Sequence, residues 1–148
     1  MSLWDWALEA YSRPGAPEAC LALQDEYGQN ISYLLWAVWA EGPGAAALAE
    51  GQALARRWDE TVLKPLREVR RALKPALAGV GDRAREGLRE DLKAAELRAE
   101  RVLMESLEAI CGNQSGGQPA LTALQAASRV WGTTAPDEAL ARLARALS

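Results

Sequence analysis

The chain has 148 residues, a net charge of −3, 49% apolar residues and 25% charged residues, the profile of one ordinary soluble domain that can bury its core unaided. It has no histidine, which excludes Ser–His and Cys–His nucleophile pairs, a histidine general base, and zinc or di-iron sites built on imidazole. Two cysteines, Cys20 and Cys111, are too few for a four-thiolate site or a disulfide framework. Free buried thiols are expected, with no metal and no cofactor.

The pattern is helical throughout, because alanine and leucine dominate and no long apolar–polar alternation occurs. The first helix is predicted over 3–12, with Ser2 and Asp5 at capping-box spacing, and Arg13-Pro14-Gly15 breaks it. The second runs over 17–27 and ends at Gly28. Asn30 is placed to cap a third helix over 31–40, which is apolar nearly all round and therefore expected at the centre. This run is too short for a membrane span, which needs about twenty residues. The N-terminus lacks the basic start of a secretory signal. A cytoplasmic protein with no membrane contact is expected.

The fourth helix begins near residue 45 and is expected to continue, kinked near Pro65, to about residue 74, since Val62, Leu66, Val69, Leu73 and Ala76 keep an apolar stripe across the proline. Asp82 is expected to cap the longest helix, 82–111. Residues 113–118 read as a flexible polar segment. Two short helices follow, over 119–131 and 135–147, with Thr134 and Asp137 as a second capping box. The predicted fold is all-α, a single multi-helix bundle over 1–148 with residues 119–148 packed on the body.

Charge is uneven. Residues 1–55 carry seven acids and one base, a net −6, whereas residues 56–74 carry seven bases and three acids, a net +4. Lys64, Arg67, Arg70, Arg71 and Lys74 gather on one helical side, a candidate surface for a protein partner or an anion. The competing reading pairs these arginines with acids of the first third. Nucleic acid ranks behind both, given the small patch and the acidic total. Glu86/Glu90 and Glu96/Glu100 have the i,i+4 spacing that puts two carboxylates on one face. However, Asp82/Arg85, Glu86/Arg89 and Glu90/Lys93 read as a self-neutralising solvated surface.

Six tryptophans serve cores more often than sites. Trp36 and Trp39 suit core packing, or a ligand pocket between helices. Trp58 reads as half-buried, and Trp131 as a staple for the tail. Asp25 is placed to orient Arg13 or an arginine of the basic segment. On the long helix, Leu88, Leu92, Ala95, Ala99, Val102, Ser106 and Ile110 form one apolar line. Leu97, Met104 and Cys111 form a second, to be covered by another subunit or by the tail.

The segments Trp4-Asp5-Trp6-Ala7-Leu8, Tyr11 to Gly15, Leu21 to Asp25 with Gly28 and Asn30, Leu34-Leu35-Trp36 with Trp39, and Trp58 through Pro65 to Lys74 resemble a family of uncharacterised bacterial proteins known only as a domain of unknown function. The likeness covers roughly residues 3–74. It implies a single bacterial cytoplasmic domain and supplies no catalytic residues. Its members often carry a histidine before the glycine matching Gly28. Tyr27 stands there in this chain, so the resemblance implies no chemistry through that group.

These features favour a non-enzymatic interaction or adaptor domain, docking a protein partner through the 64–74 face or the long helix, with a homodimer included in that class. The alternative is a binder of a small apolar or anionic ligand in a tryptophan-lined pocket involving Arg13, Asp25, Trp36, Trp39 or Trp58. A weak nucleic-acid binder is third. An enzyme working through carboxylates, Tyr11, Tyr27 or Lys64 is not nominated by any constellation of residues.

Overall fold

Helix caps divide the first third of the chain as its sequence suggests. In the computed structural model, which describes residues 1–111 and 116–148, helix α1 spans Leu3–Tyr11, α2 Ala16–Tyr27 and α3 Ile31–Trp39. The Ser2 hydroxyl accepts from Asp5 N and donates to the Asp5 carboxylate. Gly28 takes the left-handed backbone (φ 62°) that closes α2, a conformation that glycine reaches without the steric cost of a side chain. Asn30 Oδ1 then accepts from Tyr33 N at 3.0 Å and starts α3.

From Ser32 to Ala37 every residue of α3 is buried. The other elements pack around this apolar rod: α4 (Ala45–Trp58), α5 (Lys64–Ala72), α6 (Asp82–Ile110), α7 (Ala120–Trp131) and α8 (Asp137–Ala146). Contacts of α3 run to α1, α2, α4, α6 and α7, while α8 lies on α2 and α7. One apolar core joins Leu3, Leu23, Trp36, Leu48, Leu107, Leu124 and Leu140. The described residues contain no strand. None of their helices is long and apolar enough to cross a membrane.

A buried polar link also ties the tail to the body. Gln29 Nε2 donates to Tyr27 O and Thr133 O, and its Oε1 accepts from the Ser128 hydroxyl, which accepts in turn from Ala135 N. Every member is hydrogen-bonded, so burial carries no unpaired-group penalty here. Residues 113–115 of the segment read as flexible lie outside the described residues. Gln118 N, just after them, donates to Glu41 O at 3.1 Å.

Pro65 does more than kink a helix. It lacks an N–H, and its ring crowds the carbonyl four residues back in an α-helix. The chain accommodates it with a π turn, Asp59–Leu63, between α4 and α5, in which Lys64 N donates to Asp59 O. One residue is thereby inserted into the helical register without breaking the rod. The predicted apolar stripe holds only in part: Val62 and Leu66 pack on the core, but Val69 is exposed. The reason is that α5 touches only the π turn and α6.

Three expectations are corrected at helix boundaries and faces. Gly81, not Asp82, is the N-cap of α6. Pro136, not Thr134, caps α8; a residue before proline is held out of the helical region, so the helix starts beyond it. The buried face of α6 is Ala99, Leu103, Met104 and Leu107, rotated from the predicted line, whose Leu88 and Val102 are exposed. Met104 is covered by the body, and the tail helices do not touch α6.

Arg85 is also not part of a solvated surface. It is 6% exposed and donates to the carbonyls of Leu73 and Lys74 at 2.7 and 2.9 Å, beside Asp82 and Glu86. A cation at the carbonyl end of α5 is favourable, and it locks the 73–81 turn. Arg85→Met, which keeps the stem and removes the donors, is expected to cost about 1–2 kcal/mol and to speed amide exchange around residues 73–85. Unchanged exchange there would contradict this role for the guanidinium.

Candidate functional site

A cavity of about 480 Å³ opens between α1, α2, α3, the π turn, α5 and α6, within the range of about 300–1,000 Å³ typical of small-ligand pockets. Helical spacing builds its walls. Trp4, Ala7, Leu8 and Tyr11 come from one face of α1, and Leu97, Glu100 and Met104 from one face of α6. Leu35 and Leu63 add apolar floor. Around the mouth, Leu8, Tyr11, Leu21 and Leu97 are each about half exposed. The far end is formed by Gly28, Gln29, Asn30 and Trp131.

The register of the π turn brings Asp59, Leu63 and Arg67 onto the cavity wall. π turns recur at functional sites because they re-aim side chains without ending a helix. Arg67 Nη1 binds Asp59 Oδ1 at 3.1 Å, and Arg70 Nε binds Glu96 Oε2 at 2.6 Å. Glu100, one turn beyond Glu96 on α6, has no ion-pair or hydrogen-bond partner for its carboxylate among the described residues.

Burial raises the proton affinity of Glu100 above the usual carboxylate range, the charge of Glu96 adds to this, and Arg67 opposes it. Tyr11 is raised by burial first, then by Cys20, Glu100 and Glu18, so its phenol stays neutral. Burial pushes the Cys20 thiol up to about 12; it is a protonated wall group rather than a nucleophile.

A carboxylate whose folded pKa lies above its unfolded value binds its proton more tightly in the native state. Stability from this source is present when the group is protonated and is lost as pH rises from the unfolded toward the folded pKa. Glu100 therefore costs stability at neutral pH. Glu100→Gln is expected to unfold at higher urea than the parent at pH 7, with the gap closing as pH falls through the carboxylate range. A gap independent of pH would contradict the assigned cause.

The residues expected to form a site are scattered. Within the basic set, Arg67 and Arg70 are drawn inward by Asp59 and Glu96, not by acids of the first third, while Lys64, Arg71 and Lys74 are exposed. Arg13 donates to Leu147 O and lies 3.8 Å from Glu9. Asp25 is exposed and orients neither Arg13 nor the basic segment. Trp36 is core, with Nε1 donating to Cys111 O, and Trp39 packs at the core edge. Trp58 donates to Ala99 O at 2.9 Å, which fixes the start of the π turn to α6. Of the expected residues only Arg67 lines the cavity, and its tryptophans are Trp4 and Trp131. Cys20 is buried, Cys111 is half-buried at a helix end, and both are free.

The signals for the true walls were present as the Trp4/Ala7/Leu8/Tyr11 spacing and the Glu96/Glu100 pair. Among the described residues, no group of three or more acids and thiols is arranged to hold a metal ion.

Residues 2–107 match the model of a family described as a protein of unknown function (DUF2390). No curated protein and no solved structure matches the chain. The matched stretch runs beyond the 3–74 resemblance and takes in every cavity wall except Trp131.

Proposed function

The chain belongs to this DUF2390 family, whose description assigns no activity, and from that premise we propose that it binds a small, largely apolar molecule in the cavity between α1, α2 and α6. The observation that carries the reading is the cavity itself: largely apolar walls, half-exposed Leu8, Leu21 and Leu97 around it, a charged side formed by Asp59, Arg67 and Glu100, and uncharged polar groups at Gln24, Gln29, Asn30 and Ser32. Ligand pockets combine these features, apolar area for affinity and a few placed polar groups for orientation.

Docking of a protein on the basic 64–74 face is less favoured, because Arg67 and Arg70 already hold internal partners. Exposed ion pairs and the remaining three cations supply little binding energy on their own. The two free thiols support residence in a reducing compartment, the bacterial cytoplasm.

The test uses indole emission, since Trp4 and Trp131 line the cavity, together with thermal shift. Small molecules graded in size and charge are titrated into the protein and into Ala7→Leu, which narrows the cavity. At least one class is expected to move both readouts in the parent and to lose its effect in the variant. If no class moves either readout in the parent, the proposal fails.

A further inference from the structure

Resting on the cavity as a ligand site, we propose that its ligand is an organic cation, an ammonium group on an apolar body, held with its charge against Glu100.

The charges lining the cavity are unmatched. Two acids, Asp59 and Glu100, and one base, Arg67, line the cavity. Arg67 is spent on Asp59 at 3.1 Å, and the next acid along α6, Glu96, is held by Arg70 at 2.6 Å. The charge left facing the cavity without a protein counterion among the described residues is therefore negative. Glu18 adds to the acidic surroundings near Tyr11. Glu100 is half-buried, and a carboxylate partly withdrawn from water is favoured by a counterion; burial raises its pKa in the absence of one. A ligand ammonium would supply the missing counterion as an ion pair in a partly desolvated site.

Two aromatic side chains reinforce this sign. Trp4 and Tyr11 line the same cavity as Glu100, Tyr11 close enough for the Glu100 charge to act on it, and aromatic faces attract cations when water is excluded. Trp4 already shows the preference on its own surface, where the Arg101 guanidinium lies 5.7 Å from its ring centroid. An anion meets the opposite conditions. It would have to displace Asp59 from Arg67 while sitting near Glu100. The first turn of α3, the other positive feature at the cavity, is already capped by Asn30. The cavity volume of about 480 Å³ suits a short alkyl chain with a small head group.

Octyltrimethylammonium, octanoate and octanol, each below its aggregation limit, share a tail and differ in charge. Titrated into the full-length protein at pH 7 and followed by indole emission and calorimetry, the ammonium is expected to bind at least tenfold more tightly than octanoate. Glu100→Gln, confirmed folded by circular dichroism, is expected to weaken the ammonium at least tenfold and to leave octanol unchanged. Equal or tighter binding of octanoate overturns the proposal while leaving the cavity reading intact. So does ammonium binding that is indifferent to Glu100→Gln. If none of the three binds, the cavity reading falls and this proposal falls with it.

Discussion

Trp131→Ala is expected to lower the unfolding free energy by about 3–5 kcal/mol, the usual cost of truncating a buried tryptophan. The indole is only 5% exposed and performs three tasks. Its Nε1 donates to Gly28 O at 2.9 Å, satisfying a carbonyl at the glycine that ends α2. Its ring packs on Tyr33 with centroids 5.3 Å apart. The Arg56 guanidinium lies over the ring, 4.1 Å from its centroid, and the same guanidinium donates to the backbone carbonyl of Trp131. The side chain thus joins α7 to α2, α3 and α4 at one point, as a staple between tail and body.

Domains of this size have total stabilities of about 5–15 kcal/mol, so the loss would consume a large share. The midpoint of thermal unfolding should fall by about 6–20 °C, at about 2–4 °C per kcal/mol. Trp131→Phe separates the terms: it keeps most of the apolar packing, strands the Gly28 carbonyl, and is expected to cost about 1–3 kcal/mol. Unfolding followed by far-ultraviolet circular dichroism measures both. A loss below 1 kcal/mol for Trp131→Ala would show that the tail does not depend on this anchor.

The role of Trp131 was readable from its place at the end of a short apolar helix, but its partners were not, since Gly28, Tyr33 and Arg56 are distant in sequence. The same division runs through the molecule. Caps and breakers act within four residues, so Ser2, Gly28 and Asn30 marked α1, α2 and α3 correctly. The apolar run after Asn30 identified the central helix for the same local reason. The face of α6 was misjudged because its alanines and leucines form more than one apolar line, and only the position of the body selects Leu103 and Leu107.

The cavity was the least legible feature. The helices that line it contribute at most one or two residues per turn, and no single helix carries a motif. Glu96 and Glu100 stood out as a carboxylate pair, but their different fates depend on Arg70, which α5 presents to one and not to the other. Arg67 was identified as a surface cation. The register change forced by Pro65 places it beside Asp59 at the cavity instead.

Gly51 shows the same dependence on a distant partner and yields a prediction that reverses the usual rule. In the middle of a helix, glycine is less favourable than alanine by up to about 1 kcal/mol, so Gly51→Ala in α4 would ordinarily be stabilising. Here a Cβ built on Gly51 would lie 2.4 Å from Trp36 Cζ3 and 2.7 Å from Cη2, with Leu107 Cδ2 at 3.3 Å. The ring cannot easily swing aside. Trp36 is fully buried, its Nε1 is tied to Cys111 O at 3.0 Å, and Tyr33 packs on it at 5.9 Å. Close-packed interiors accept extra carbon atoms only by straining rotamers or moving backbone. Gly51→Ala is therefore expected to destabilise by about 1–3 kcal/mol despite its better helix propensity, and Gly51→Val, with two further methyl groups, by about 3 kcal/mol or more. Chemical denaturation of the two variants against the parent measures the effect. Trp36→Phe, which shortens the ring that Gly51 meets, should recover part of the Gly51→Ala loss in a double-mutant cycle. Additive losses, or a stabilised Gly51→Ala, would mean that α4 and α3 do not meet as closely as this contact requires.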